Sequence, residues 1–196
     1  MLYLDFSQPN YDVNAIEVTN EFEQSIKDFL VEWFSDSEVM IAHTSGSTGT
    51  PKEIILTKEN MRKSANMTGK HLHLEKGNSA LLVMPVTYIA GKLMLVRAVE
   101  IGLKLICMQP TSHISLNEIN SGISQNFTSI DFVALTPMQV ENSLDFVSRC
   151  QKLIIGGAPL SEKVKQELFA FENEVYETYA MTETITCLLY TSDAAD

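Results

Sequence analysis

Short apolar runs recur along this chain, and most neighbouring pairs are separated by a segment with helical patterning. The runs are "EVMIAH" (38–43), "KEIILT" (52–57), "SALLVMPVTY" (79–88), "LKLICM" (103–108), "DFVALTP" (131–137), "QKLIIGG" (151–157) and "EVYETYAM" (174–181). A first helix is expected over 20–34, where Phe22, Ile26, Phe29, Leu30, Trp33 and Phe34 lie close to one stripe. Thr57 can cap a helix through "KENMRKSANMTGK", and a helix from Ala90 to Ile101 should stop at Gly102. A helix around "SLNEINSGIS", one opened by Pro137, and one capped by Ser161 with Glu162 in its first turn complete the series. Strands that alternate with helices predict an α/β fold, a mostly parallel sheet flanked by helices on both faces.

Composition narrows the function. With 14 Lys and Arg against 25 Asp and Glu the formal charge is -11, which argues against nucleic acid as a partner. Cys107, Cys150 and Cys187 form no CxxC pair, so no zinc ribbon or thioredoxin-type site is written here, and buried free thiols are expected. "MLYLDFSQPN" does not read as a signal peptide, and "ALLVMPV" is far too short to span a bilayer. These features predict a soluble, cytoplasmic protein.

The chemistry concentrates in "HTSGSTGTPKEI" (43–54), a Gly- and hydroxyl-rich loop between two apolar runs. Such a turn lets backbone N–H groups converge on an anion. Thr44, Ser45, Ser47 and Thr48 can add hydroxyl donors around Gly46 and Gly49, and Lys52 a point charge for the β- and γ-phosphates. The bland alternative is a flexible Ser/Gly loop with an incidental Lys. The Walker motif does not fit: Gly46 and Gly49 are too close together, Pro51 precedes Lys52, and Glu53 stands where the magnesium-binding hydroxyl belongs.

"TSGSTGTPK" resembles the phosphate-binding signature of the adenylate-forming enzymes, which include acyl- and aryl-CoA ligases, peptide-synthetase adenylation domains and luciferases. "GGAP" (156–159) resembles their adenine-side turn, and "YAMTET" (179–184) their YGxTE signature with Ala180 in place of Gly. The resemblance implies nucleotide contacts from Gly156, Gly157, Ala158 and Pro159, with Tyr179 over one ring face. It implies Thr182 on the α-phosphate, Glu183 as the Mg²⁺ ligand, and Lys52, Thr182 and Glu183 as the catalytic group. A Gly-Gly turn at a strand end suits this role, because no Cβ blocks a flat base and open α/β sheets bind ligands at that edge.

Within the superfamily the chain is most similar to the o-succinylbenzoate–CoA ligases of menaquinone biosynthesis, through "MPVTYIAGKLMLVRA" and "ALTPMQ". That likeness implies ATP, Mg²⁺ and CoA as cofactors or co-substrates and a small-molecule carboxylate, 2-succinylbenzoate, as substrate. Other acyl- or aryl-CoA synthetases, and a nucleotide-binding unit without turnover, are the alternatives. Tyr88 occupies the place of a family His while Gly91 is retained; Tyr88 either lines the acyl pocket or is a buried structural tyrosine. Arg97 either meets the substrate's spare carboxylate or makes an ion pair on the helix surface, and Thr136 and Gln139 are candidates to border the aryl group. His43 either nears the nucleotide or packs at a strand end, while His71 and His73 lack a third metal-ligand candidate. A homo-oligomer stays open.

Residues 1–186 are read as part of the N-terminal domain of an adenylate-forming enzyme. The last ten residues, 187–196, do not resemble the family's continuation and are expected to be a foreign or disordered tail. The family's small C-terminal domain, with its catalytic Lys, has no counterpart in the 196 residues. As it stands the chain is therefore expected to bind nucleotide weakly and to make negligible acyl-CoA.

Overall fold

The computed structural model describes residues 1–9, 11–43, 53–179 and 188–191. The strands are β1 (Leu2–Asp5), β2 (Val39–His43), β3 (Glu53–Thr57), β4 (Ser79–Leu82), β5 (Lys104–Cys107), β6 (Ile130–Leu135), β7 (Cys150–Gly156), β8 (Glu174–Tyr179) and β9 (Leu188–Thr191). The α-helices are α1 (Glu21–Trp33), α2 (Lys58–His71), α3 (Ile89–Ile101), α4 (Leu116–Gly122), α5 (Pro137–Glu141), α6 (Leu144–Val147) and α7 (Glu162–Leu168).

The main sheet runs β1-β5-β4-β6-β7-β8-β9. Its central strands, β5, β4, β6, β7 and β8, are parallel, and β1 and β9 close the two edges antiparallel. Strands buried at every position, such as β4, have cover on both faces, because successive side chains point to opposite sides. Ala80, Leu82, Leu105, Cys107, Phe132 and Ala134 face one core together with Leu30, Trp33, Met61 and Leu95 of α1, α2 and α3. Leu81, Ile106, Val133, Leu135 and Leu153 face the other, with Ile119, Val140, Phe146 and Val164 of the later helices. Helices therefore flank a mostly parallel sheet, as the alternation of patterns requires.

Helix ends follow the expected chemistry. Asn20, Thr57 and Ser161 each accept a hydrogen bond from a first-turn amide, and Gly102 ends α3 with φ 79°. Glu23 in α1 is 3% exposed: Thr19 donates its amide and hydroxyl to Oε2 at 2.8 Å each, and the Met1 ammonium lies 3.0 Å from Oε1. Cys107 and Cys150 are buried free thiols. Among the described residues no helix is long and apolar enough to cross a membrane.

The structure departs from the sequence expectation in four places. β2 and β3 pair with each other, antiparallel, in a separate two-stranded sheet, because the sequence between His43 and Glu53 is shorter than a parallel crossover needs. β1 has no counterpart in the sequence reading. Phe34 falls just past the end of α1 and is 51% exposed rather than part of its buried stripe. Residues 188–191, part of the segment expected to be a foreign or disordered tail, pair with β8 from Tyr179↔Leu188 to Tyr176↔Thr191, where β8 offers an open edge.

Candidate nucleotide site at the carboxyl edge of the sheet

Because β4, β6, β7 and β8 run parallel, the segments that follow them leave from one edge of the sheet. That edge gathers Pro85–Tyr88 after β4, Thr136 after β6, the Gly156–Pro159 turn at the end of β7, and Tyr179 at the end of β8. Thr44, Ser45, Gly46, Ser47, Thr48, Gly49, Lys52, Thr182 and Glu183 lie outside the described residues, as does Cys187.

The glycine turn has two distinct requirements. A Cβ on Gly156 would sit 2.7 Å from Thr178 Oγ1, so the end of β7 packs directly against β8. Thr178 itself donates to the Ile155 carbonyl at 3.2 Å and locks that register. Gly157 has φ 95°, a left-handed conformation that an L side chain adopts only with strain, and among the described residues no atom beyond its two chain neighbours lies within 4 Å of where its Cβ would be. Among the described residues the turn thus presents bare backbone, and Ala158 and Pro159 beside it are exposed. This is a surface on which a planar group can lie without meeting a side chain.

The segment after β4 is held from two sides. Gly91 in the first turn of α3 lies so close to the preceding loop that a Cβ there would be 2.3 Å from the Pro85 carbonyl oxygen. Gln139 is buried, and its Nε2 donates to the Val83 carbonyl at 3.1 Å and the Thr111 carbonyl at 2.8 Å. Its Oε1 accepts from the amide and hydroxyl of Thr136, which in turn caps α5 in a reciprocal capping box. Thr136 and Gln139 therefore brace the ends of β4 and β6 against each other.

Tyr88 is the N-cap residue of α3, makes no side-chain cap hydrogen bond and is 52% exposed, so it is not a buried structural tyrosine. Arg97 lies about two-thirds of the way along α3 and is 5% exposed, which removes it from the helix surface and separates it in sequence from the edge residues. His71 meets Tyr176, midway along β8, edge-on with ring centres 5.5 Å apart.

β2 reaches this edge through Lys92, in the first turn of α3. Its ammonium donates to the Ile41 carbonyl at 3.1 Å and lies 5.7 Å from the centre of the Phe29 ring. The residues of "HTSGSTGTPKEI" that follow β2 are thereby carried from a strand fastened beside Tyr88 and the end of β4. Sequence reading passed over Lys92 and Thr178. A Lys in the first turn of a largely apolar helix was the signal for the former; the latter needs the strand register.

The family model described as AMP-binding enzyme matches residues 7–196. The chain belongs to the AMP-binding enzyme family. It is 30% identical over 152 residues to a 2-succinylbenzoate–CoA ligase of Geobacillus sp. (strain WCH70), covering 76% of this chain and 30% of that protein. Among solved structures it is similar to the acyl-CoA synthetase (AMP-forming)/AMP-acid ligase II-like protein from Dyadobacter fermentans, with a TM-score of 0.79 and 34% identity over 91% of this chain and 51% of the other. The o-succinylbenzoate CoA synthetase of Bacillus subtilis, solved in complex with ATP and magnesium ion, shares the fold with a TM-score of 0.63 at 21% identity, over 77% of this chain and 32% of that one. The chain spans about a third of the length of the curated relatives it matches.

Proposed function

We propose that the whole protein is an ATP-dependent acid–thiol ligase that activates a carboxylate, 2-succinylbenzoate, as its acyl-adenylate and passes the acyl group to CoA. The observation that carries the reading is the Gly156–Gly157 turn, bare and open at the carboxyl edge of the sheet, in a chain of the AMP-binding family. The donor set of "TSGSTGTPK" fits a polyphosphate, and Glu183 supplies a hard oxygen for Mg²⁺, which would neutralise phosphate charge when bound.

In this reading the base lies on the Gly156–Pro159 turn with Tyr179 over one face. The hydroxyls of Thr44, Ser45, Ser47 and Thr48, with the Gly46 and Gly49 backbone and Lys52, hold the β- and γ-phosphates, and Thr182 bonds the α-phosphate. A carboxylate oxygen attacks the α-phosphorus, the bond to pyrophosphate breaks, and the thiol of CoA then displaces AMP from the acyl carbon. Tyr88 borders the acyl group from its exposed position, and Gly91 lets α3 approach closely enough to present it. Thr136 and Gln139 hold the floor of that pocket.

Likeness to the Dyadobacter protein favours a second, broader reading, an acyl-CoA synthetase for another acid. Pyrophosphate release by the purified protein, assayed with 2-succinylbenzoate, acetate and long fatty acids, separates the two. Release that depends on 2-succinylbenzoate is expected. Release with acetate or fatty acids alone rejects the substrate, and release with no acid tested rejects the ligase. Glu183→Ala should raise the Mg²⁺ requirement, and Lys52→Ala should weaken use of ATP.

A further inference from the structure

The two-stranded sheet of β2 and β3 shares no strand pairing with the main sheet among the described residues. It is seated by Met40, Ala42 and Leu56, which are buried in the core beneath α1, α2 and α3, while Val39, Ile41 and Ile55 face outward. Burial of this kind fixes which face points inward but resists sliding along the strand only weakly, since apolar contact is not directional. A directional tie is supplied by Lys92.

Its position is unusual for a cation. Lys92 stands in the first turn of α3, where the exposed N–H groups and the helix dipole favour an anion. Burial also pushes its ammonium below the ordinary lysine value, and Glu32 only partly opposes this. Two penalties therefore act on this charge. What offsets them is the bond to the Ile41 carbonyl, 51 residues away in sequence, with the Phe29 ring below. Ile41 lies two residues before the end of β2 and three before Thr44, the start of the phosphate-binding motif.

We infer that Lys92 is a positioning residue for the nucleotide: it clamps β2 to the first turn of α3 and so fixes the two strands between which the phosphate-binding motif lies in the sequence. The inference rests on the proposed nucleotide site, but the clamp itself can be read without nucleotide. Lys92→Met keeps the apolar stem and removes the donor; Lys92→Arg keeps a donor and the charge.

Hydrogen exchange of the wild-type protein and both variants, with ATP·Mg²⁺ titrations on the same samples, tests it. Lys92→Met should lose amide protection in residues 39–43 and 53–57 while the β4, β6 and β7 amides stay protected. Its ATP affinity should fall about tenfold, the scale set by loss of a charge-assisted hydrogen bond, and Lys92→Arg should recover most of both. Unchanged hairpin protection in Lys92→Met overturns the clamp whatever happens to ATP. Hairpin protection lost with ATP affinity unchanged overturns the positioning role and leaves the proposed function standing. Absence of ATP binding by the wild type overturns the proposed function, and with it the role assigned to Lys92, while the exchange data still judge the clamp. If Lys92→Met does not fold, Lys92→Gln, a shorter neutral side chain, takes its place with the same expected losses, and unchanged hairpin protection in it overturns the clamp.

Discussion

The main sheet and the β2–β3 hairpin are built on different physics. Central strands such as β4 and β6 are buried on both faces between two helix layers, so every residue is constrained by packing. The hairpin has one buried face and one exposed face, and its fastening to the body includes a single-point tie from Lys92. The sheet therefore makes a rigid edge and the hairpin an adjustable one. In the proposed site the rigid edge takes the base and the adjustable one the phosphates.

The contrast should be largest in the stability of point variants. Phe132 is fully buried in β6, and Phe132→Ala should cost about 3–5 kcal/mol in urea unfolding. A loss below about 1 kcal/mol would show that the sheet is no more tightly packed than the hairpin. Gly91→Ala should cost about 1–3 kcal/mol, because its Cβ meets a backbone oxygen at 2.3 Å that cannot swing aside. It should also shift the first turn of α3 and so weaken nucleotide binding, which a titration with ATP·Mg²⁺ would register.

Glu23 anchors the start of α1 and extends the comparison to pH. Burial by itself pushes its carboxyl up, but the hydroxyl and amide of Thr19 and the Met1 ammonium more than offset that, leaving it below its ordinary value of 4.5. A lowered folded value contributes stability above pH 4.5 that is lost as pH falls through the folded value. Unfolding free energies of the wild type and Glu23→Gln should therefore differ most at neutral pH, by about 1–3 kcal/mol, and converge in acid. A constant difference from pH 7 to pH 3 would contradict the assignment. At the small end, Ile55 is 71% exposed on the hairpin, and Ile55→Thr should change stability by no more than about 0.5 kcal/mol.

How much of this was legible in the sequence follows the same division. β4 to β7 were readable because their buried stretches are written as apolar runs. The pairing of β2 with β3 was not, since strand direction depends on what connects the strands, and the clue was the lack of a helical segment between them. β1 escaped because four residues at a sheet edge carry too little pattern. At the site, the glycine turn was legible from its residues, whereas the brace made by Gln139 and the tie made by Lys92 depend on carbonyls far away in sequence. Periodicity cannot reveal those. The exposure of Tyr88 and the burial of Arg97 likewise depend on how α3 rotates against its neighbours.

The most direct measurement is hydrogen exchange of the wild-type protein with and without ATP·Mg²⁺, read at the two regions together. Bound nucleotide should raise protection both in the hairpin strands, 39–43 and 53–57, and at the ends of β7 and β8, from Gly156 through Tyr179's neighbourhood in the sheet. Protection that rises at neither region, or only at the opposite ends of the strands around Arg149 to Lys152 and Glu172 to Glu174, would contradict a nucleotide held between the rigid edge and the hairpin.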